Sequence, residues 1–194
     1  MRCNDGAIDS HGRYWVGTMN DPKVQEPSDE GVLFRLDPDL SLHRMIEGVT
    51  IPNGMAWSSD DTVFYFTDSP SKNIYKFDFD AASGDISNRQ VFFHVDDDNA
   101  VPDGFAVDVE ECFWVALAGG GKVIRVSPQG TILAQIVLPT RMISCPVFVG
   151  KDLYITSAEE EDPGRYAESV PYAGSLFKVT VGVEGKPPLK FPGI

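Results

Sequence analysis

Three short polar motifs hold the side chains best suited to bind an ion or move a proton. Asn4-Asp5-Gly6, Pro52-Asn53-Gly54 and Pro102-Asp103-Gly104 set an amide or carboxylate (Asn4, Asn53, Asp103) eleven residues ahead of Trp15, Phe64 and Trp114. Oxygens of this kind suit hard divalent cations such as Ca2+ or Mg2+, and a carboxylate also accepts protons. Taken singly, each motif reads more readily as a turn, because Asn-Gly and Asp-Gly tolerate positive φ. Two features argue for more. The polar residue stands just before a strand in three consecutive repeats, and a proline precedes it twice, fixing the backbone approach.

The elements that carry these motifs also repeat. An apolar, bulky, basic, apolar strand pattern occurs at Leu33-Phe34-Arg35-Leu36, Ile74-Tyr75-Lys76-Phe77, Val123-Ile124-Arg125-Val126 and Leu176-Phe177-Lys178-Val179. Its bulky positions lie 41, 49 and 53 residues apart, the period of a unit of about four strands. A fourth copy of the motif region begins at Ile143-Ser144-Cys145-Pro146 and is one residue shorter. Short β-branched and aromatic runs alternate with Gly, Pro, Asn and Asp, and no stretch sustains a helical period. The prediction is an all-β chain with little helix: an incomplete β-propeller of about four blades, with repeats 1–47, 48–98, 99–142 and 143–194. In a propeller the innermost strands begin at one rim of a central channel, so Asn4, Asn53, Asp103 and the region of Ser144 are expected to face one another there.

Composition removes several classes of function. The net charge is −13 and the 16 basic residues are scattered, which argues against a nucleic-acid partner. No apolar run is long enough to cross a bilayer and the first twenty residues lack signal-peptide character, so a cytoplasmic protein with no membrane partner is expected. Cys3, Cys112 and Cys145 form no CxxC pair and are expected to be reduced and mostly buried. His11, His43 and His94 lack the spacing of a zinc site or a catalytic triad. Ser69-Pro70-Ser71-Lys72 matches SxxK, but that nucleophile needs a helix and these residues fall between strands. Asp96-Asp97-Asp98-Asn99 lacks the central Gly and terminal Glu of a calcium loop, and Gly119-Gly120-Gly121 reads as a hairpin turn.

The chain resembles the regucalcin and gluconolactonase family of senescence marker protein-like lactonases. The resemblance rests on Arg2-Cys3-Asn4-Asp5-Gly6, the stretch from Gly12 to Met19, Ile51 to Trp57, Asp68-Ser69, Pro102-Asp103-Gly104 and Gly120 to Arg125, in this order and spacing. It implies a six-bladed propeller that holds one divalent metal ion (Ca2+, Zn2+, Mn2+ or Mg2+) and hydrolyses a small sugar lactone such as glucono-lactone. By motif, Asn53 and Asp103 look like metal ligands, Asp103 like the catalytic acid/base, and Arg2 and Asn4 like substrate-binding residues.

Two departures from the family pattern stand out. The family's glutamate ligand lies about a hundred residues upstream of the motif at Arg2, so the chain is expected to lack its N-terminal blades and that ligand. A lid glutamate has no clear equivalent where Asn20-Asp21-Pro22 stands, and Asp21 is a weak substitute. The polar stretch from Asp21 to Glu30 is long for a hairpin and reads equally as a lid or an insertion. The competing reading is a non-catalytic propeller scaffold, which has no need for Asn53 and Asp103 to converge with Arg2 and Asn4.

Overall fold

The computed structural model describes residues 1–192; Gly193 and Ile194, the last positions of the fourth predicted repeat, lie outside the described residues. The fold is all-β, with single 3-10 turns at Ser69–Ser71 and Val170–Tyr172. Among the described residues no helix is long and apolar enough to cross a membrane. By contact the chain divides into two compact units: Met1–His94 with the segment that begins at Pro188, and Val95–Pro187.

The first unit contains two four-stranded antiparallel meanders of the type that forms propeller blades. One is β1 (Arg2–Ile8), β2 (Tyr14–Met19), β3 (Gly31–Leu36) and β4 (Leu42–Val49); the other is β5 (Pro52–Trp57), β6 (Val63–Asp68), β7 (Asn73–Asp80) and β8 (Asp85–His94). Alternation along β2 turns Trp15, Gly17 and Met19 inward, as a half-buried strand requires. Trp15, Trp57 and Phe64 form the centre of this unit's core, with Phe64 4.9 Å from Trp15 and 5.0 Å from Trp57 between ring centroids. Each ring so buried contributes about 1.5–3 kcal/mol of transfer free energy.

The second unit holds β9 (Val101–Val107), β10 (Phe113–Ala118), β11 (Lys122–Val126) and β12 (Ile132–Val137), followed by β13 (Ile143–Val149), β14 (Asp152–Ser157) and β15 (Leu176–Thr180). Its core gathers Trp114, Val123, Ile143, Phe148, Leu153 and Ile155, with Trp114 edge-on to Phe148. Among the described residues the last sheet has three strands where the repeat predicts four. Strand β15 has the rank of β3, β7 and β11 but the exposure of an edge: Leu33, Ile74 and Val123 are fully buried, whereas Leu176 is 64% exposed. The reason is local. Residues 181–187, which contain Gly182, Gly185 and Pro187, pack Val181 and Val183 against the core but add no strand to this sheet among the described residues. They return instead to β9, where the Lys186 N–H donates to the Val107 carbonyl.

The basic residue of the strand pattern is structural. It stands across from an aromatic in every sheet, pairing Arg35 with Trp15, Lys76 with Tyr65, Arg125 with Trp114 and Lys178 with Tyr154. Three of these place the cation over the ring, at 6.0 Å for Arg35, 5.7 Å for Arg125 and 5.6 Å for Lys178.

The turns after β1, β5 and β9 share one geometry. The N–H of Gly12, Asp61 and Glu111 donates to the carbonyl three residues earlier, and all three residues are left-handed, with φ of 76°, 54° and 62°. Buried aspartates lock two of the turns. Asp9 Oδ1 accepts the N–H groups of His11 and Arg13, and its Oδ2 accepts Trp15 Nε1 at 3.1 Å and Arg13 Nη1 at 3.2 Å. Asp108 repeats the plan with the N–H groups of Glu110 and Cys112, Trp114 Nε1 at 2.9 Å and Arg125 Nε at 2.9 Å. In the second sheet Phe64 stands in place of a tryptophan, and the Ser58 hydroxyl takes over by accepting the N–H groups of Thr62 and Val63.

Candidate functional site

At the opposite end from these turns, the first strand of every sheet carries a β-bulge at its motif. Pairing to the second strand skips between Cys3 and Gly6, between Asn53 and Met55, between Pro102 and Phe105, and between Ile143 and Cys145. A bulge re-aims side chains out of the regular alternation and is common beside active sites. Asn4, Asp5, Gly54, Asp103, Gly104 and Ser144 are the residues set out of register, and Asn53 borders the second bulge.

In the first unit the bulges of β1 and β5 are bonded together. Asn4 Nδ2 donates to the Pro52 carbonyl at 2.9 Å and to Asn53 Oδ1 at 3.1 Å. Both amide hydrogens of Asn4 are therefore engaged, which leaves its Oδ1 for a ligand. Asn53 is buried, and its Nδ2 donates to Ser69 Oγ at 2.8 Å, so its Oδ1 is the atom turned toward Asn4. The Asp5 carboxyl accepts the Gly6 N–H at 2.7 Å. Burial pushes the Asp5 carboxyl above its ordinary value, against the nearby backbone N–H groups, which favour the charged form. Asp68 completes the frame by accepting the N–H groups of Thr50 and Ile51 just ahead of β5. Close approach at this point requires Gly17 in β2, where a Cβ would stand 2.2 Å from that of Pro52. Arg2 is exposed, with its Nη1 on the Cys3 carbonyl at 3.4 Å.

In the second unit Asp103 lies half-buried in the β9 bulge. A Cβ at the adjoining Gly104 would fall 2.8 Å from Cys145 Sγ and 3.0 Å from the Ser144 carbonyl oxygen, so glycine lets β9 and β13 meet there. Ser144 Oγ and Thr156 Oγ1 share a hydrogen bond of 2.8 Å. The thiols depart from expectation: Cys112 is buried, but Cys3 and Cys145 are exposed because both lie in the bulged strands. Burial, with Asp108 close by, pushes the Cys112 thiol up.

The segment after β2 is anchored at its base by Asn20, which the sequence reading passed over. Its buried side chain accepts the Ser28 N–H and hydroxyl through Oδ1 and donates to Glu30 at 2.8 Å. Hydrogen bonds from Asn20 and Gln25 hold the Glu30 carboxyl below the usual range. Asp21, the weak lid candidate, caps the first turn of this loop by accepting the Lys23 N–H. Ser69 sits in a 3-10 turn and orients Asn53, a role unlike that of a nucleophile. Among the described residues no three His, Cys, Asp or Glu side chains gather around one point. A divalent ion at Asn53 would meet a neutral hard oxygen already fixed in orientation, and that donor type fits such an ion.

Comparison with known proteins matches residues 1–159 to the SMP-30/gluconolactonase/LRE-like region. The chain belongs to the SMP-30/gluconolactonase family. The matched stretch includes all four bulges and both aspartate-locked turns, and it ends before β15. Within the family, the chain is 40% identical to regucalcin of Danio rerio over 99% of its own length and 66% of that protein. Among solved structures it resembles a luciferin-regenerating enzyme, with a TM-score of 0.87, 30% identity, and coverage of 97% of this chain and 64% of the other. It also resembles a calcium-binding protein, regucalcin, from Agrobacterium tumefaciens, with a TM-score of 0.83, 27% identity, and coverage of 97% and 63%. The chain spans about two thirds of the length of the curated relatives it matches, between 64% and 67% for the first of them.

Proposed function

We propose that this chain forms four blades of a six-bladed, metal-dependent hydrolase that opens sugar lactones such as glucono-lactone. The blades correspond to repeats 1–47, 48–98, 99–142 and 143–194. Asn53 and Asp103 serve as donors to one divalent ion, Asp103 as the acid/base, and Arg2 and Asn4 as substrate-binding residues. The supporting observation is the bulge that recurs at the same motif in each sheet, in a chain of this family. The name of the Agrobacterium relative, a calcium-binding protein, supports a divalent ion without specifying which one acts here.

The ion, when bound, polarises a carbonyl and makes water more acidic. The Asp103 carboxylate accepts a proton as water oxygen bonds to the lactone carbonyl carbon. The ring C–O bond then breaks, and the departing oxygen recovers that proton from Asp103, giving a hydroxy acid. Arg2, exposed and lightly held, offers guanidinium donors to sugar hydroxyls, while Asn4 offers its Oδ1 as an acceptor.

The test is acid release from glucono-δ-lactone by the full natural polypeptide supplied with Ca2+, Zn2+ or Mn2+. Activity that disappears in Asp103→Ala supports the reading. Undiminished turnover in that variant removes the base, and failure to bind any divalent ion returns the protein to the scaffold reading.

A further inference from the structure

The second unit holds a cleft that the mechanism above leaves unused. It lies past the strand ends on the bulge side: Asn99 precedes β9, Gly119 follows β10, Arg141 precedes β13, and Arg165, Tyr166 and Glu168 belong to the segment between β14 and β15. Its volume is about 490 Å3, which suits a small molecule, and no bulge residue lines it.

One arginine builds the cleft. Arg141 Nη1 donates at 2.9 Å to Glu160 Oε1, on a side chain only 1% exposed, and the Arg141 N–H donates to Ser169 Oγ at 2.9 Å. The guanidinium also stands 3.4 Å from the centre of the Tyr166 ring. The segment between β14 and β15 is thus fastened to one residue near its start, middle and end. Arg141 Nη2 comes within 3.6 Å of the place a Cβ of Gly119 would take, and it meets no acceptor among the described residues. A guanidinium held so firmly with N–H groups still open is preorganised for an anion.

Arg165 and Glu168 supply the rest of the chemistry. Arg165 stands 5.0 Å from the centre of the same Tyr166 ring. Although three positions apart and opposite in charge, Arg165 and Glu168 form no ion pair with each other or with any other described residue. Asp97, also in the lining, is matched by Lys122 at 3.2 Å. The cleft therefore presents guanidinium donors and a carboxylate acceptor together. A bare anion is repelled by Glu168, and a neutral polyol leaves Arg165 without a counter-charge. A ligand with both a carboxylate and hydroxyl groups satisfies both walls.

We propose that this cleft binds a small polyhydroxy acid, with its carboxylate on Arg141 and Arg165 and its hydroxyls donating to Glu168. The inference stands on the cleft alone and goes beyond the lactone reading, whose hydroxy-acid product is of this class.

The test uses the full natural polypeptide with gluconate as the probe. Acetate and glucose are controls that carry the carboxylate or the hydroxyls alone. Modification of Arg165 by phenylglyoxal, followed by peptide mapping, reports occupancy of this cleft and not of the bulges. Gluconate is expected to slow that modification saturably, and neither control should do so at equal concentration. Glu168→Ala, at an exposed position, should weaken the gluconate dissociation constant read from this protection by about 10-fold, the worth of one hydrogen bond to a charged group. Tyr166→Leu, which removes the shared platform, should weaken it by a similar factor. These readouts need no lactone turnover, so they stand apart from the outcome of Asp103→Ala. No protection of Arg165, protection by acetate or glucose equal to that by gluconate, or an unchanged constant in Glu168→Ala overturns the proposal.

Discussion

The two ends of these blades use the same residue types for opposite purposes. At the turn end, Asp9 and Asp108 are buried and each accepts four hydrogen bonds from backbone, indole and guanidinium groups. Their capacity is consumed by the fold. At the bulge end, Asn4 and Asn53 retain acceptor capacity, Arg2 is exposed, and Asp103 is half-buried. A carboxylate with every lone pair engaged belongs to the architecture, whereas chemistry needs polar groups that are held but not saturated.

Substitutions at the two ends should therefore separate activity from stability. The largest effect is expected for Asp103→Ala, with a loss of about 10²- to 10⁴-fold in lactone turnover, as for a general base, and an unchanged thermal midpoint. Asp108→Ala should do the reverse: it strands the Trp114 indole and leaves the Arg125 guanidinium with Glu110 alone, costing about 3–5 kcal/mol in urea unfolding. Asp9→Ala should behave likewise. A stable Asp108→Ala protein or an unfolded Asp103→Ala protein would erase the distinction.

Thiol labelling maps the same contrast with a smaller signal. Cys3 and Cys145, in the bulged strands, should react with a disulfide reagent in the native protein, whereas Cys112, buried beside Asp108 with its thiol shifted up, should wait for denaturant. Equal rates at all three sites would contradict the described burial. The smallest effect concerns Thr67, the register partner of Asn53, whose buried hydroxyl has no hydrogen-bond partner among the described residues. Thr67→Val should leave stability unchanged or raise it by up to about 1 kcal/mol, since an unpaired polar group is removed without loss of shape.

The eleven-residue spacing made Asn4, Asn53 and Asp103 visible as equivalent positions, because repeats conserve distance along the chain even where side chains differ. The bulges themselves were not legible: a one-residue skip leaves no mark on hydrophobic alternation when Gly fills the skipped place, as at Gly54 and Gly104. The aspartate locks left a signal that went unread, since Asp9 and Asp108 each precede a tryptophan by six residues. Cys3 and Cys145 were misjudged because cysteine is usually buried, and bulges override that tendency. The missing strand after β15 could have been suspected from Gly182, Gly185 and Pro187, which interrupt any fourth run.

The exposed rank of β15 also bears on how the protein fares in a crowded solution. Among the described residues this strand pairs with β14 alone, and a bare edge of that sort is a template for fibrous self-association. Lys178 sits at its midpoint, half-exposed and tied to Asp152 at 2.7 Å. Adding a second copy there would bury this ion pair away from water, a desolvation cost that makes one lysine a guard on an open edge.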